Sequence, residues 1–257
     1  MLTHEWPAED YAVGAYIQAT IADKYVIPLQ LNPHDSVLDI GCGDGSYTVK
    51  ILKKIPEGTL IGVDRSQNML ALAKEKVQDY PYFSVQKSDV LDLTYDKQFD
   101  YIVSFWCLQW CDDLPKAFSN IYRALKKGGK LLTIIPSGND PLVRSLERVK
   151  ASMEFKRLQD FILPVNYKKI ALLPDVIQTL PFSTSRVECD KQTLVLPSLD
   201  VFKKFVKGLA LFNGQIPDDE IPDINKALVN AYDVECQQNY QGECRCDISV
   251  YVVTAEK

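Results

Sequence analysis

Short apolar runs recur along the first half of the chain, separated by stretches with apolar residues at helical spacing. Val37-Leu38-Asp39-Ile40, Leu60 to Val63, Tyr82 to Val85, Tyr101 to Phe105 and Lys130 to Ile135 read as strands of a buried sheet. Between them, residues 45 to 54 read as a helix that ends before Pro56-Glu57-Gly58. Ser66 is placed to cap the next helix, which carries Met69, Leu70, Ala73 and Val77 on related faces. Leu114 to Leu125 is a further helix, with Ala117, Ile121 and Leu125 on one side and Gly128-Gly129 as its break. A helix over 9 to 27 is expected before the first strand, with Tyr11, Ala15, Ala19 and Ala22 on related faces, closed by Pro28.

Beyond residue 138 the pattern loosens. Residues 139 to 165 are charged, Pro-bounded and helical in part, and Val165 to Leu180 reads as one helix. Val187 to Leu196 alternates as a strand, two helices fill 198 to 240, and Ile248 to Ala255 is a final strand. Alternating strands and helices predict an α/β fold, a doubly wound parallel sheet with helices on both faces. The helices between the last two strands have no place in that sheet. They are expected to cap its carboxyl edge, where open sheets of this kind bind ligands. The expected organisation is a single domain over 1–257. Its core would be about 30–138, 165–196 and 246–257, and its helical cap about 1–28, 139–164 and 197–245.

Composition narrows the partners. The chain has 257 residues, 46% hydrophobic and 25% charged, which is ordinary for a globular protein. A net charge of −5 and a pI near 5.2 speak against a nucleic-acid binder, and Lys126, Lys127 and Lys130 read as solvated surface at a turn. No apolar run approaches the length of a membrane span, and the N-terminus lacks a basic region followed by an apolar one, so a cytoplasmic protein is expected. Seven cysteines and two histidines, His4 and His34, form no zinc-type spacing, and Cys236, Cys244 and Cys246 lack partners for a metal. Reduced thiols and no metal are expected.

The chemistry concentrates where the first strand ends. Val37 to Ile40 runs into Gly41-x-Gly43-x-Gly45, a helix follows, and the second strand ends in Asp64. Strand, glycine turn, helix, strand and acid make the mononucleotide half of a doubly wound sheet. The dinucleotide fingerprint is G-x-G-x-x-G, whose helix N-terminus takes a pyrophosphate. Here the spacing differs, and Asp39 and Asp44 would repel such a group. The pattern resembles motif I of the class I methyltransferases, which bind S-adenosylmethionine (SAM), a sulfonium with no phosphate.

That resemblance implies a seven-stranded Rossmann-like methyltransferase sheet and a role for each strand end. Asp39, Gly41, Cys42 and Gly43 would lie about the methionine part and ribose, and Asp64, followed by Arg65, would hold the ribose hydroxyls. Asp89 would accept from the adenine amino group, Met69 and Val90 would cover the adenine faces, and Ser104 would face the methionine end.

Other residues bear on the acceptor. Methylating a hydroxyl or a carbon acid requires a base, usually His, and neither histidine sits near a strand's carboxyl end. A carboxylate is already ionised at neutral pH and needs only donors to orient it. The segments Ser104 to Cys111, Ala117 to Tyr122 and Leu125 to Gly129 resemble the subgroup of trans-aconitate, juvenile hormone acid and malonyl-acyl-carrier-protein methyltransferases, whose members methylate carboxylates. The likeness extends to Leu199 to Lys204, to Asn213-x-x-Ile216-Pro217 and to Tyr11 to Gln18. In that family a Gln on the N-terminal helix and a Trp after the fourth strand hold the substrate carboxylate. The matching residues are Gln18 and Trp110, both with N–H donors. Trp106, Phe155, Phe161, Phe205 and Phe212 are candidates for an apolar acid pocket. The reading is a SAM-dependent methyltransferase acting on the carboxylate of a small or acyl-chain acid, free or carrier-bound. Another oxygen, nitrogen or carbon acceptor and a non-catalytic SAM-binding protein are its alternatives.

Overall fold

A computed structural model describes residues 16–257. Tyr11, Ala15 and His4, and the beginning of the expected N-terminal helix, lie outside the described residues. The strands are β1 (Ser36–Ile40), β2 (Thr59–Asp64), β3 (Phe83–Lys87), β4 (Phe99–Phe105), β5 (Leu125–Gly138), β6 (Thr184–Val195) and β7 (Arg245–Glu256). The helices are α1 (Tyr16–Val26), α2 (Ser46–Leu52), α3 (Gln67–Lys76), α4 (Leu114–Ala124), α5 (Pro141–Ala151), α6 (Tyr167–Ile170), α7 (Leu173–Gln178), α8 (Leu199–Gly208) and α9 (Ile221–Tyr240). They form a seven-stranded sheet of order β3-β2-β1-β4-β5-β7-β6 with flanking helices, as the strand–helix alternation requires. The first five strands are parallel, with Leu38 opposite both Ile61 and Ile102. From β1 the chain winds outward to β3, then returns beside β1 as β4, so the β1/β4 boundary is the topological switch point. Bonds from Ser183 N to Glu256 O and from Leu196 N to Cys244 O make β6 and β7 an antiparallel pair.

The chain divides into two compact units. One holds residues up to Ile21, Gly138–Pro164 and Lys191–Ser249. The other holds Ala22–Ser137, Val165–Asp190 and Val250–Lys257. The second unit carries the parallel strands. Its core packs Leu38, Ile40 and Ile102 with Phe118, Ile121, Leu131 and Val253. The amphipathic pattern of α4 explains its seat: Leu114, Ala117, Phe118, Ile121 and Ala124 are all buried. Asp113 caps this helix by accepting from Lys116 N at 3.0 Å, and Pro115 occupies the first turn, where no N–H is needed. Ser66 caps α3 as its position predicts, accepting from Met69 N.

Two boundaries differ from the pattern reading. Gly128-Gly129 does not separate helix from strand, because β5 starts at Leu125, directly after α4. Phe99 faces Leu125 while Tyr101 faces Lys130, so the extra residues form a bulge. Gly128 supplies the positive φ of +76° for it, and a side chain at Gly129 would press on the Phe99 carbonyl. The helix expected over 165 to 180 is two, α6 and α7. Pro174 sits in the first turn of α7 and has no N–H with which to continue α6.

In the other unit α5, α8 and α9 bury their own apolar stripes. Phe202 stacks on Tyr232 at a centroid distance of 4.0 Å, and Phe161 tilts against Phe212 at 4.9 Å. Phe161 and Phe212 are therefore core residues of this unit, whereas Phe155 and Phe205 are half-buried. Asp140 caps α5, and Arg144 one turn on binds the buried Glu235 of α9.

Candidate active site at the β1/β4 switch point

Every predicted cofactor residue lies in the unit that carries the parallel strands. At the end of β1, the Gly41 and Cys42 amides both donate to Val63 O of β2, at 2.7 and 3.1 Å. The loop thus folds back over the neighbouring strand. Gly41, Gly43 and Gly45 have φ of +73°, +55° and +79°, the left-handed region that residues with a Cβ seldom enter. Their surroundings differ. A Cβ on Gly41 would lie well inside 3.0 Å of Cys107 Cβ and Sγ, the residue that follows β4 and Trp106. A Cβ on Gly45 would touch Ala73 of α3. A Cβ on Gly43 would meet nothing within 4 Å, so this glycine presents the loop's open face. Cys42 packs its thiol where Gly62 leaves room on β2, so only its backbone faces outward from the loop.

Asp64 spans the loop and the start of α3. Its Oδ2 accepts from Gly43 N at 3.0 Å and its Oδ1 from Ser66 N at 2.9 Å. A carboxylate oxygen can accept more than one hydrogen bond, so Asp64 has the chemistry to accept from a ribose diol as well. Asp39 lies beneath, 2% exposed, its Oδ2 accepting from Thr48 Oγ at 2.7 Å. Burial pushes the Asp39 carboxyl up to about 7; the Thr48 hydrogen bond opposes this and the Asp64 charge adds to it. Burial also raises Asp64 above the ordinary carboxylate range, against its backbone hydrogen bonds. Two desolvated acids side by side favour a cationic ligand and disfavour a phosphate. Asp44, by contrast, is held below the usual range, despite burial, by Lys76 and Ser46 and belongs to the loop's scaffold.

The same shift has a stability consequence. Between the ordinary value of 3.8 and about 7, folded Asp39 keeps a proton that the unfolded chain releases. Stability therefore falls as pH rises across that window, by roughly 4 kcal/mol at most. Asp39→Asn, which cannot ionise and retains the Thr48 partner, should flatten that slope. Denaturant midpoints of both proteins at pH 4.5, 6 and 8 check this; parallel profiles would show that Asp39 is not the source.

The remaining strand ends line up beside the loop. Arg65 pairs with Asp89 at 3.3 Å, and Asp89 Oδ1 caps the 3₁₀ turn Val90–Asp92 through Leu91 N at 2.9 Å. Met69 and Val90 are buried at 2% and 7% exposure, Val90 within the core under the sheet edge. Ser104 is fully enclosed, its hydroxyl donating to Ile40 O at 2.9 Å, so it ties β4 to β1 where their ends diverge. Then comes an unusual turn. Trp106 has φ of +57°, a conformation that costs a bulky residue about 1–3 kcal/mol. Its N–H donates to Ile134 O at 3.1 Å and its carbonyl accepts from Gln109 Nε2 at 2.7 Å. The 3₁₀ turn Leu108–Trp110 follows, leaving Trp110 half-buried against the core. Gln18 is 6% exposed on α1 and belongs to the other unit. Thr48, Cys107 and Gln109 have no site role assigned from the sequence, and the contact of Cys107 with the glycine loop joins residues that no short spacing relates.

Comparison with known proteins agrees with this geometry. Residues 38–133 match the family model described as a methyltransferase domain. Juvenile hormone acid O-methyltransferase of Bombyx mori is 33% identical over 200 residues, 74% of this chain and 70% of that protein. Malonyl-[acyl-carrier protein] O-methyltransferase 1 of Ilyobacter polytropus is 35% identical over 129 residues, 48% of this chain and 47% of that protein. For several curated relatives, as for this one, the match spans about half of their length. The YcgJ protein of Bacillus subtilis, at 16% identity, shares the fold with a TM-score of 0.61 over 93% of this chain and 98% of its own.

The chain belongs to the class I methyltransferases, whose methyl donor is SAM. Within that class it falls in the group that contains the juvenile hormone acid, malonyl-acyl-carrier-protein and trans-aconitate methyltransferases. The donor set fits SAM. An open-faced glycine, paired acids suited to a cation, and an acid able to accept from a diol stand beside the switch point.

Proposed function

We propose that this protein is a SAM-dependent O-methyltransferase acting on the carboxylate of a small or acyl-chain acid, free or carrier-bound. The observation that carries the donor half is Asp64 clamping the Gly43 amide beside the buried Asp39. Bound SAM supplies a methyl group on a sulfonium, with a neutral thioether as leaving group. Asp39, Gly41, Cys42, Gly43, Asp64, Arg65, Met69, Asp89 and Val90 are the residues assigned to hold it, with the enclosed Ser104 bracing Ile40 O beside them. The relatives support the acceptor half, since two are O-methyltransferases named for an acid or a malonyl-carrier substrate. His34, the histidine among the described residues, precedes β1 and pairs with Glu57 at the surface. A carboxylate needs no base, and Gln18 and Trp110 supply N–H donors to align it. No described helix is long and apolar enough to cross a membrane.

Calorimetry with S-adenosylhomocysteine and NAD tests the donor half: the first should bind and the second should not. Turnover over a panel of carboxylic acids, phenols and amines tests the acceptor half. Hydrogen bonds to a charged group contribute about 1.5–3 kcal/mol, so Gln18→Ala and Trp110→Ala should each lower kcat/KM by roughly 10- to 100-fold. Affinity for S-adenosylhomocysteine should persist in both. Unchanged turnover in both variants removes the assigned roles, and methylation confined to amines or phenols moves the acceptor class.

A further inference from the structure

Gln109 is 5% exposed in the turn after β4, and its side chain is divided in use. Nε2 donates to the carbonyl of Trp106, whereas Oε1 is buried with no hydrogen-bond partner among the described residues. A buried amide with one half unsatisfied is a poor way to fill a core position, where Met or Leu would cost less. The bond it does make is made to the backbone of the one bulky residue of this turn held at positive φ, Trp106 at +57°. That residue is fastened on its other side by Ile134 O. Cys107 comes next and abuts Gly41, and Trp110 N donates to Cys107 O at 3.0 Å. One side chain therefore controls the path by which the chain leaves β4, touches the glycine loop and arrives at Trp110.

We infer that Gln109 is a positioning residue: by holding the Trp106 carbonyl it sets the turn that aims Trp110 at the acceptor. The inference rests on the proposed role of Trp110, but its consequence for the turn is measurable without turnover. Gln109 touches neither donor nor acceptor in this scheme. Its removal should therefore slow alignment and leave donor affinity alone.

The test uses the full-length protein with S-adenosylhomocysteine bound. The chain has three tryptophans, so three indole N–H cross-peaks appear in a ¹H–¹⁵N spectrum, assigned with single Trp→Phe variants. In Gln109→Met the Trp106 and Trp110 peaks should move, and kcat on the best acid of the panel should fall at least about tenfold. S-adenosylhomocysteine Kd should stay within about threefold, because Gln109 makes no donor contact in this scheme. In Gln109→Glu an ionised carboxylate cannot donate to the Trp106 carbonyl, whereas a protonated one can. Its peaks should return toward the parent positions as pH falls, a dependence Gln109→Met should lack. Unmoved indole peaks, equal losses of donor affinity and kcat, or identical pH behaviour of the two variants would overturn the inference. If the parent turns over no acid, the carboxylate reading fails on its own, while the cross-peaks still decide the role of Gln109.

Discussion

Gly41→Ala should abolish measurable cofactor binding, with S-adenosylhomocysteine affinity reduced at least about 100-fold, that is by about 2.7 kcal/mol or more. Two effects combine. A φ of +73° costs a residue with a Cβ about 1–2 kcal/mol. The larger one is steric, since the new methyl would occupy the space of Cys107 Cβ and Sγ. Either the glycine loop or the turn after β4 must then move, and both belong to the candidate site. The contact includes Cys107 Cβ itself, which makes the prediction specific. Gly41→Ala/Cys107→Ala should not recover binding, because the offending atom remains. Gly41→Ala/Cys107→Gly should recover most of it and leave only the backbone strain. Gly43→Ala meets no neighbour and should retain the fold. Recovery by the Cys107→Ala pairing would show that the two loops do not pack as described.

Arg144→Leu should strongly destabilise the unit that contains α5 and α9. Arg144 Nε and Nη2 both donate to Glu235 Oε1, at 3.0 and 2.8 Å, and the Glu235 side chain is only 5% exposed. Removing the guanidinium strands a carboxylate in a desolvated site, at a cost of about 3 kcal/mol or more. Glu235→Leu should cost less, about 1–2 kcal/mol, because Arg144 is 27% exposed and can regain water. The double variant Arg144→Leu/Glu235→Leu should lie close to the parent, since the desolvation penalty disappears with both charges. Chemical denaturation followed by far-UV circular dichroism gives all four values. A double variant as unstable as Arg144→Leu would place the loss in packing of the stem and not in the stranded charge.

The order of strands and helices was legible because burial on both faces leaves unbroken apolar runs, and helix caps are local chemistry. Val37 to Ile40, Leu60 to Val63 and the Ser66 cap all depend on neighbours within a few residues. The β5 start and the α6/α7 break were not legible. Gly128-Gly129 signals a bend in either a turn or a bulge, and the choice depends on Phe99 and Tyr101 across the sheet. At the site, the glycine spacing with Asp39 and Asp64 pointed to a SAM-type loop, since close backbone approach leaves a residue-type signature. The Asp64 clamp on Gly43 and the Thr48 support of Asp39 left none, because each joins residues that only the fold brings together.

By itself, then, the sequence determined the fold class, the place of the glycine loop and the family, all properties carried by residue type at short spacing. The tertiary structure alone decided which glycine is packed and which is open, how far Asp39 is desolvated, and that Gln109 holds the Trp106 turn. The first of these is settled where β1 and β4 meet, between residues some 65 positions apart such as Gly41 and Cys107. Contacts at that separation are set by the packing of the whole sheet, which no local pattern encodes.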